Sequence, residues 1–226
     1  MEEKEEKISI DKENLKNETV ETAKKVKETM KDTNIKEETK KTKGFLVEMF
    51  KNPLEKIKQV ANDKENRFLK TAIILVIIWT IVVFVDSTYS TIHYWGFSRV
   101  FKNILDVLKD ILAPAIGILV YALIVLVLNK KSKKSLTTII STVTITQISL
   151  IISEIVSLLT IISSNITDIT IPFAKVCSII SIVLGYFGFK YLFEEEEDKV
   201  FIKKYALIQI IYYVAYIVIK LLGIYI

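Results

Sequence analysis

Few residues in this chain combine a reactive type with a telling position, and the first of them is Glu154. It lies within the apolar stretch 136–162, about nine residues from the end of that stretch, roughly 14 Å at helical rise. A carboxylate at such depth in a membrane is costly and needs protein, water or a counter-charge around it. Lys175 is the nearest cation by depth, although its stem also allows it to reach the headgroups. Gln147 stands seven residues earlier on the same helical face, so Thr144, Gln147, Glu154 and Ser157 draw a polar line that Leu150 and Ile151 interrupt. The chemistry open to this set is a proton or ion pathway. The structural alternative is a hydrogen bond between helices and nothing more.

A second acidic run, Glu194 to Asp198, offers carboxylate oxygens of the kind that suit Mg²⁺ or Ca²⁺. It has neither the glycine turn nor the ligand alternation of a dedicated site. It reads better as a solvated loop that favours the positive end of the following helix. The single cysteine, Cys177, and the single histidine, His93, exclude an internal disulfide and a Cys/His zinc centre. His93 sits in an aromatic interfacial segment, and no metalloprotease helix, nucleophile elbow or glycine-rich phosphate loop is present. The expectation is a non-enzymatic protein with no catalytic residue, cofactor or metal.

These residues are carried on two very different parts of the chain. Residues 1–70 hold 18 Lys/Arg and 16 Asp/Glu, whereas the other 156 hold 13 and 10 together with nearly all the long apolar runs. Such segregation predicts a polar arm followed by a membrane domain. The net charge of +5 is dispersed, and the lysines of the arm are interleaved with acids. A nucleic-acid footprint, which needs a clustered basic face, is therefore not expected.

Residues 1–43 lack aromatics and have only scattered aliphatics, so disorder or frayed helix is expected, serving as a tether, a docking tail or simply a solvated one. Over residues 44–69, Phe45, Leu46, Met49 and Phe50 form one apolar stripe, and Leu54, Ile57, Val60 and Ala61 form another. Between them, Asn52-Pro53-Leu54-Glu55 has the residues of a helix start, with Asn52 as N-cap and Glu55 returning a bond. An interfacial helix-turn-helix is predicted, lying on headgroups or packing against the ends of the spans.

Residues 70–226 predict five transmembrane helices, at about 70–88, 111–129, 136–162, 172–191 and 205–226. The fold class is an all-α polytopic bundle with a disordered amino-terminal arm and interfacial amphipathic helices. Tyr89, Tyr94 and Trp95 suit an outer aromatic belt, and 97–112 reads as an amphipathic helix feeding the second span. Pro114 is placed near the start of that span, where a missing N–H costs little. Ser178, Ser181, Gly185 and Gly188 draw a small ridge on the fourth span, a surface another helix can approach closely.

Lys130, Lys131, Lys133 and Lys134 crowd the junction between the second and third spans, and short basic loops stay in the cytoplasm. With the amino terminus inside, fourteen Lys/Arg near the spans fall within and five outside. This predicts a cytoplasmic amino terminus and an external carboxyl terminus. With no apolar stretch before residue 71, the first span is expected to act as an uncleaved anchor. The acidic run 194–198 should share the face of the lysine knot.

A cytoplasmic arm, an Asn52-Pro53 helix start just before the first span, five closely set spans and a very short tail together resemble the Yip family of Rab-interacting five-span membrane proteins and their bacterial relatives. The resemblance covers residues 45–226 and lies in architecture. The Asp-Leu-Tyr-Gly-Pro motif of the eukaryotic members is absent, so Rab-linked trafficking is not implied. What it implies is a scaffold or interaction protein whose partners are the lipid bilayer and other membrane proteins or a second copy. The Lys, Ile and Asn bias suits a bacterial cytoplasmic membrane. The competing expectation is a transporter or channel component that uses Gln147, Glu154 and Lys175.

Overall fold

The computed structural model describes residues 12–31, 35–96, 104–129, 134–163, 166–193 and 197–221. The regular elements among them are helices, with no strand. The arm is helical where it is described, as α1 (Lys12–Lys31) and α2 (Ile35–Lys51). Ion pairs one turn apart, Glu21 with Lys25 at 2.7 Å and Glu37 with Lys41 at 2.9 Å, support both helices. The hydrogen bond from Lys25 holds the Glu21 carboxyl below its ordinary range. Because α2 starts at Ile35, with Glu37 and Glu38 in its first turn, it runs straight through Gly44, where a boundary is expected.

Helix α3 (Pro53–Ala61) starts at the predicted proline, but Asn52 does not cap it with its side chain. The Asn52 N–H still donates to Glu48 O at 2.9 Å, so this residue closes α2 while its carbonyl accepts from Lys56 N–H at 3.1 Å. Glu55 accepts from Gln59 Nε2 in place of returning to the cap. The pair does not lie loose on a surface. Phe45, Met49, Ile57, Val60 and Ala61 are all buried; the first four pack with Leu75, Ile145, Ile148 and Leu184 of the bundle, and Ala61 belongs to the cluster around Ile139 and Phe189. The expected packing against the ends of the spans is thus present, while Val47, Phe50 and Leu54 of the same helices stay exposed.

Four of the described helices are long and apolar enough to cross a membrane, and a bent pair passes the same test when its two parts are taken together, giving up to five. Helix α4 (Leu69–Trp95) runs two turns past the expected end of the first span. Asp86, Ser87 and Ser90 are polar but do not break a helix; Gly96 does, at φ 80, with its N–H bonded back to Ile92 O. Tyr89 and Tyr94 are therefore residues of the last two turns of this helix. Helix α5 (Ile104–Leu128) carries Pro114 in its interior and not near its start. The preceding turn is helical too, so the proline leaves the Asp110 carbonyl without its helical donor. Residues 97–103 of the expected amphipathic helix lie outside the described residues.

The stretch 136–162 is expected as one tilted span and is instead broken. Helices α6 (Leu136–Thr146) and α7 (Ile148–Ser157), with the short α8 (Leu159–Ile162), meet at a 45° bend. Gln147 sits at the break with ψ near 5°, and its side chain is drawn toward a neighbouring helix. Helix α9 (Thr167–Leu192) begins five residues before Pro172, taking up half of the loop expected there. Helix α10 (Asp198–Leu221) likewise begins inside the acidic run, with Asp198 in its first turn, where a negative charge meets the positive helix end.

The centre of the bundle is α6. Every one of its residues is buried, and it touches α1, α3, α4, α5 and α9. A segment so rich in threonine tolerates this because its hydroxyls are satisfied: Thr137 and Thr138 donate to Asn66 Oδ1 and Asp63 O in the turn before α4, and the others bond to their own backbone. Ser141, Thr142 and Thr144 donate to the carbonyls of Thr137, Thr138 and Ile140, each at 2.8 Å. What the helix presents outward is then largely methyl groups. One end of the bundle gathers the arm, the turn before α4, the start of α6 and the ends of α5 and α9. We call it the arm end, and the opposite one the far end.

Candidate functional site

At the far end, α4, α5 and α7 part around a cleft of about 500 Å³. Helix α4 supplies one wall through Trp79, Val83, Asp86, Ser87, Ser90, Thr91 and Tyr94, residues that recur every three to four positions. From Trp79 to Tyr94 this stripe spans roughly 22 Å at helical rise. Helix α5 adds Asp110, Ala113 and Pro114, and α7 adds Glu154. Three carboxylates thus face one cavity, and among the described residues no Lys, Arg or His lines it.

Asp110 is only half satisfied. Its Oδ2 accepts from Ser87 Oγ at 2.7 Å, whereas its Oδ1 is buried with no protein donor. Lys109 does not neutralise it, turning instead to Asp106 at 3.1 Å. The cavity floor is apolar: Trp79 packs against both hydrophobic clusters, and Val83, Ala113 and Pro114 continue that surface. Tyr94, 75% exposed, stands at the far rim. His93 leans on Tyr89 and Tyr94 at ring distances of 5.5 and 5.1 Å, outside the cavity lining.

Of the sequence-predicted polar set, only Glu154 reaches this cavity. Gln147 is occupied elsewhere: its Oε1 accepts from Ser181 Oγ at 2.7 Å, joining α9 to the break between α6 and α7. Lys175 is exposed on α9 and does not line the cleft, so the neighbours of Glu154 are Asp86 and Asp110 and not the expected cation. Thr144 bonds to its own helix, and Ser157 to the Glu154 carbonyl. The rotation of the helices dismantles the line Thr144, Gln147, Glu154, Ser157.

The small residues of α9 are divided. Ser181, Gly185 and Gly188 are buried within the protomer, against Gln147, Tyr205 and the threonines of α6 respectively, while Ser178 is exposed. A Cβ on Gly188 would stand 2.7 Å from Thr146 Cγ2 and 3.1 Å from Thr142 Cγ2. Of the lysine knot, Lys134 donates to Asn62 Oδ1 at the turn before α4; Lys130, Lys131 and Lys133 lie outside the described residues, as do Glu194, Glu195 and Glu196. Asn129, flanking the knot, donates to Leu192 O at 3.3 Å and so ties the end of α5 to the end of α9.

Sequence reasoning overlooked Asp86 and Asp110. The signal was present: with the helix carried on to Gly96, Asp86, Ser87, Ser90, Thr91 and Tyr94 fall on one face. The fold and this cleft define an α-helical multi-pass membrane protein with an acidic cavity at one end of its bundle. Compared with known proteins, the chain matches no family model, no curated protein and no solved structure.

Proposed function

We propose that this membrane protein takes up cations at the cleft, as a transporter or channel component and not as an enzyme. The observation that carries the reading is the lining itself, with Asp86, Asp110 and Glu154 around one cavity and no basic residue among the described residues that line it. Ionisable groups inside spanning segments mark ion and substrate paths, and a site lined by one sign of charge concentrates the opposite sign. The basic excess at the arm end supports a cytoplasmic arm, which turns the cleft toward the outside of a cytoplasmic membrane.

The Yip-like scaffold reading draws less support from the same features. The ridge of α9 that favours helix association is spent inside the protomer at Ser181, Gly185 and Gly188, leaving Ser178 for a partner. Helices α2 and α3, which would greet partners or headgroups, bury Phe45, Met49, Ile57, Val60 and Ala61 in the bundle and leave Val47, Phe50 and Leu54 exposed. Those three residues and the exposed flank of α10 around Tyr213 and Val214 are the apolar surface left for a second copy or another membrane protein, a surface that lipid covers equally well.

The test is charge movement. Proteoliposomes on a solid-supported membrane are given concentration jumps of K⁺, Mg²⁺ and choline. At least one of these should evoke a transient current that the Asp86→Asn/Asp110→Asn/Glu154→Gln variant lacks. Currents identical in the two proteins reject the reading.

A further inference from the structure

We infer that the ligand of the cleft is an organic ammonium ion and not a metal ion, an inference that rests on the cation reading above. The first support is size. A cavity of about 500 Å³ lies within the range of small-molecule pockets, roughly 300–1,000 Å³, and is far larger than a single ion occupies. The second is the placement of the ligands. Among the described residues no three His, Cys, Asp or Glu side chains converge closely enough to hold a metal ion, so the carboxylates are spread around the wall and do not focus on one point. Divalent cations need six or more oxygens at roughly 2.0–2.6 Å, a demand that dispersed carboxylates do not meet.

The third support is the mixture of surfaces. Trp79 at the floor and Tyr94 at the rim bracket the carboxylates, while Val83 and Pro114 supply apolar area between them. An ammonium group on a short alkyl or aryl body matches that mixture. Its charge faces the carboxylates, its carbon body covers the floor, and an indole or phenol face attracts the cation further. A bare inorganic cation would leave the aromatic and aliphatic surface unused.

The experiment uses the full chain in lipid nanodiscs. With Trp95→Phe, Trp79 is the only tryptophan, and its emission reports on the cleft floor. Choline chloride is titrated beside its neutral carbon isostere 3,3-dimethyl-1-butanol, and beside KCl and MgCl₂ at matched ionic strength. Choline should change the emission saturably, and the isostere should bind at least ten-fold more weakly. The Asp86→Asn/Glu154→Gln variant should also lose at least ten-fold in choline affinity, and an unchanged melting temperature would show that it folds. If Mg²⁺ or K⁺ saturates the site at a lower concentration than choline, the organic-ammonium inference is overturned while the cation reading stands. Equal binding of choline and the isostere, or no response to any cation, overturns both.

Discussion

The two halves of the bundle are built on opposite principles. At the arm end, α3, α6 and α9 meet with hardly a gap: Ile57, Val60, Ile139 and Phe189 are wholly buried, and Gly188 admits the methyl groups of Thr142 and Thr146. At the far end, α4, α5 and α7 separate around carboxylates that have few protein partners. Between them lies the 45° bend at Gln147, which turns the third crossing away from the line of α6. Where polar groups point back to their own helix, a threonine-rich segment can be the dry centre of a membrane domain. Where they point into a cavity, the same membrane has to admit water or a ligand.

Substitutions should separate the halves by their cost. The largest effect is expected at Gly188→Ala, whose new methyl group must displace Thr146 and Thr142; overpacking of this kind costs about 1–3 kcal/mol. Gly185→Ala, where the nearest atom is Tyr205 Oη at 3.5 Å, should be close to neutral. Thermal melts in detergent compare the two, and equal losses would contradict the tight arm-end packing. Next comes Gln147→Leu, which removes the bond from Ser181; hydrogen bonds between membrane helices contribute about 0.6 kcal/mol, up to roughly 1.7, so a smaller fall in stability is expected.

The cleft should behave otherwise. Asp86→Asn with Glu154→Gln removes like charges that face one another in a poorly screened cavity, so stability should hold or rise even as cation binding is lost. A marked fall in melting temperature would mean that these carboxylates are structural. The smallest effect belongs to Lys175→Gln, exposed on α9, which should alter choline affinity by less than about two-fold, or about 0.4 kcal/mol. A ten-fold change there would restore the pairing of Lys175 with Glu154.

The four or five apolar helices were legible because long apolar runs report directly on the bilayer. The start of α3 at Pro53 was legible from backbone chemistry. What escaped depends on how the helices are rotated about their axes. In lipid both the outer and the inner face of a span are apolar, so periodicity carries little information about which side Glu154 or Lys175 takes. The break at Gln147 has no local cause, since glutamine is a fair helix former; it arises with a tertiary contact, the hydroxyl of Ser181. The first span was expected to end near residue 88, the length a bilayer needs, whereas the helix continues to Trp95 and stops at Gly96.

The central claim, a wet acidic cleft beside a dry packed half, is tested most directly by thiol accessibility. In a Cys177→Ala background no other cysteine competes, so single cysteines can be placed at Ser90, on the cleft wall, and at Thr142, buried in α6. In intact proteoliposomes the Ser90→Cys protein should react readily with a cationic methanethiosulfonate, at least ten-fold faster than with an anionic one, and Thr142→Cys should react with neither. Equal rates with the two reagents at Ser90, or a Thr142→Cys protein as reactive as Ser90→Cys, would contradict the account.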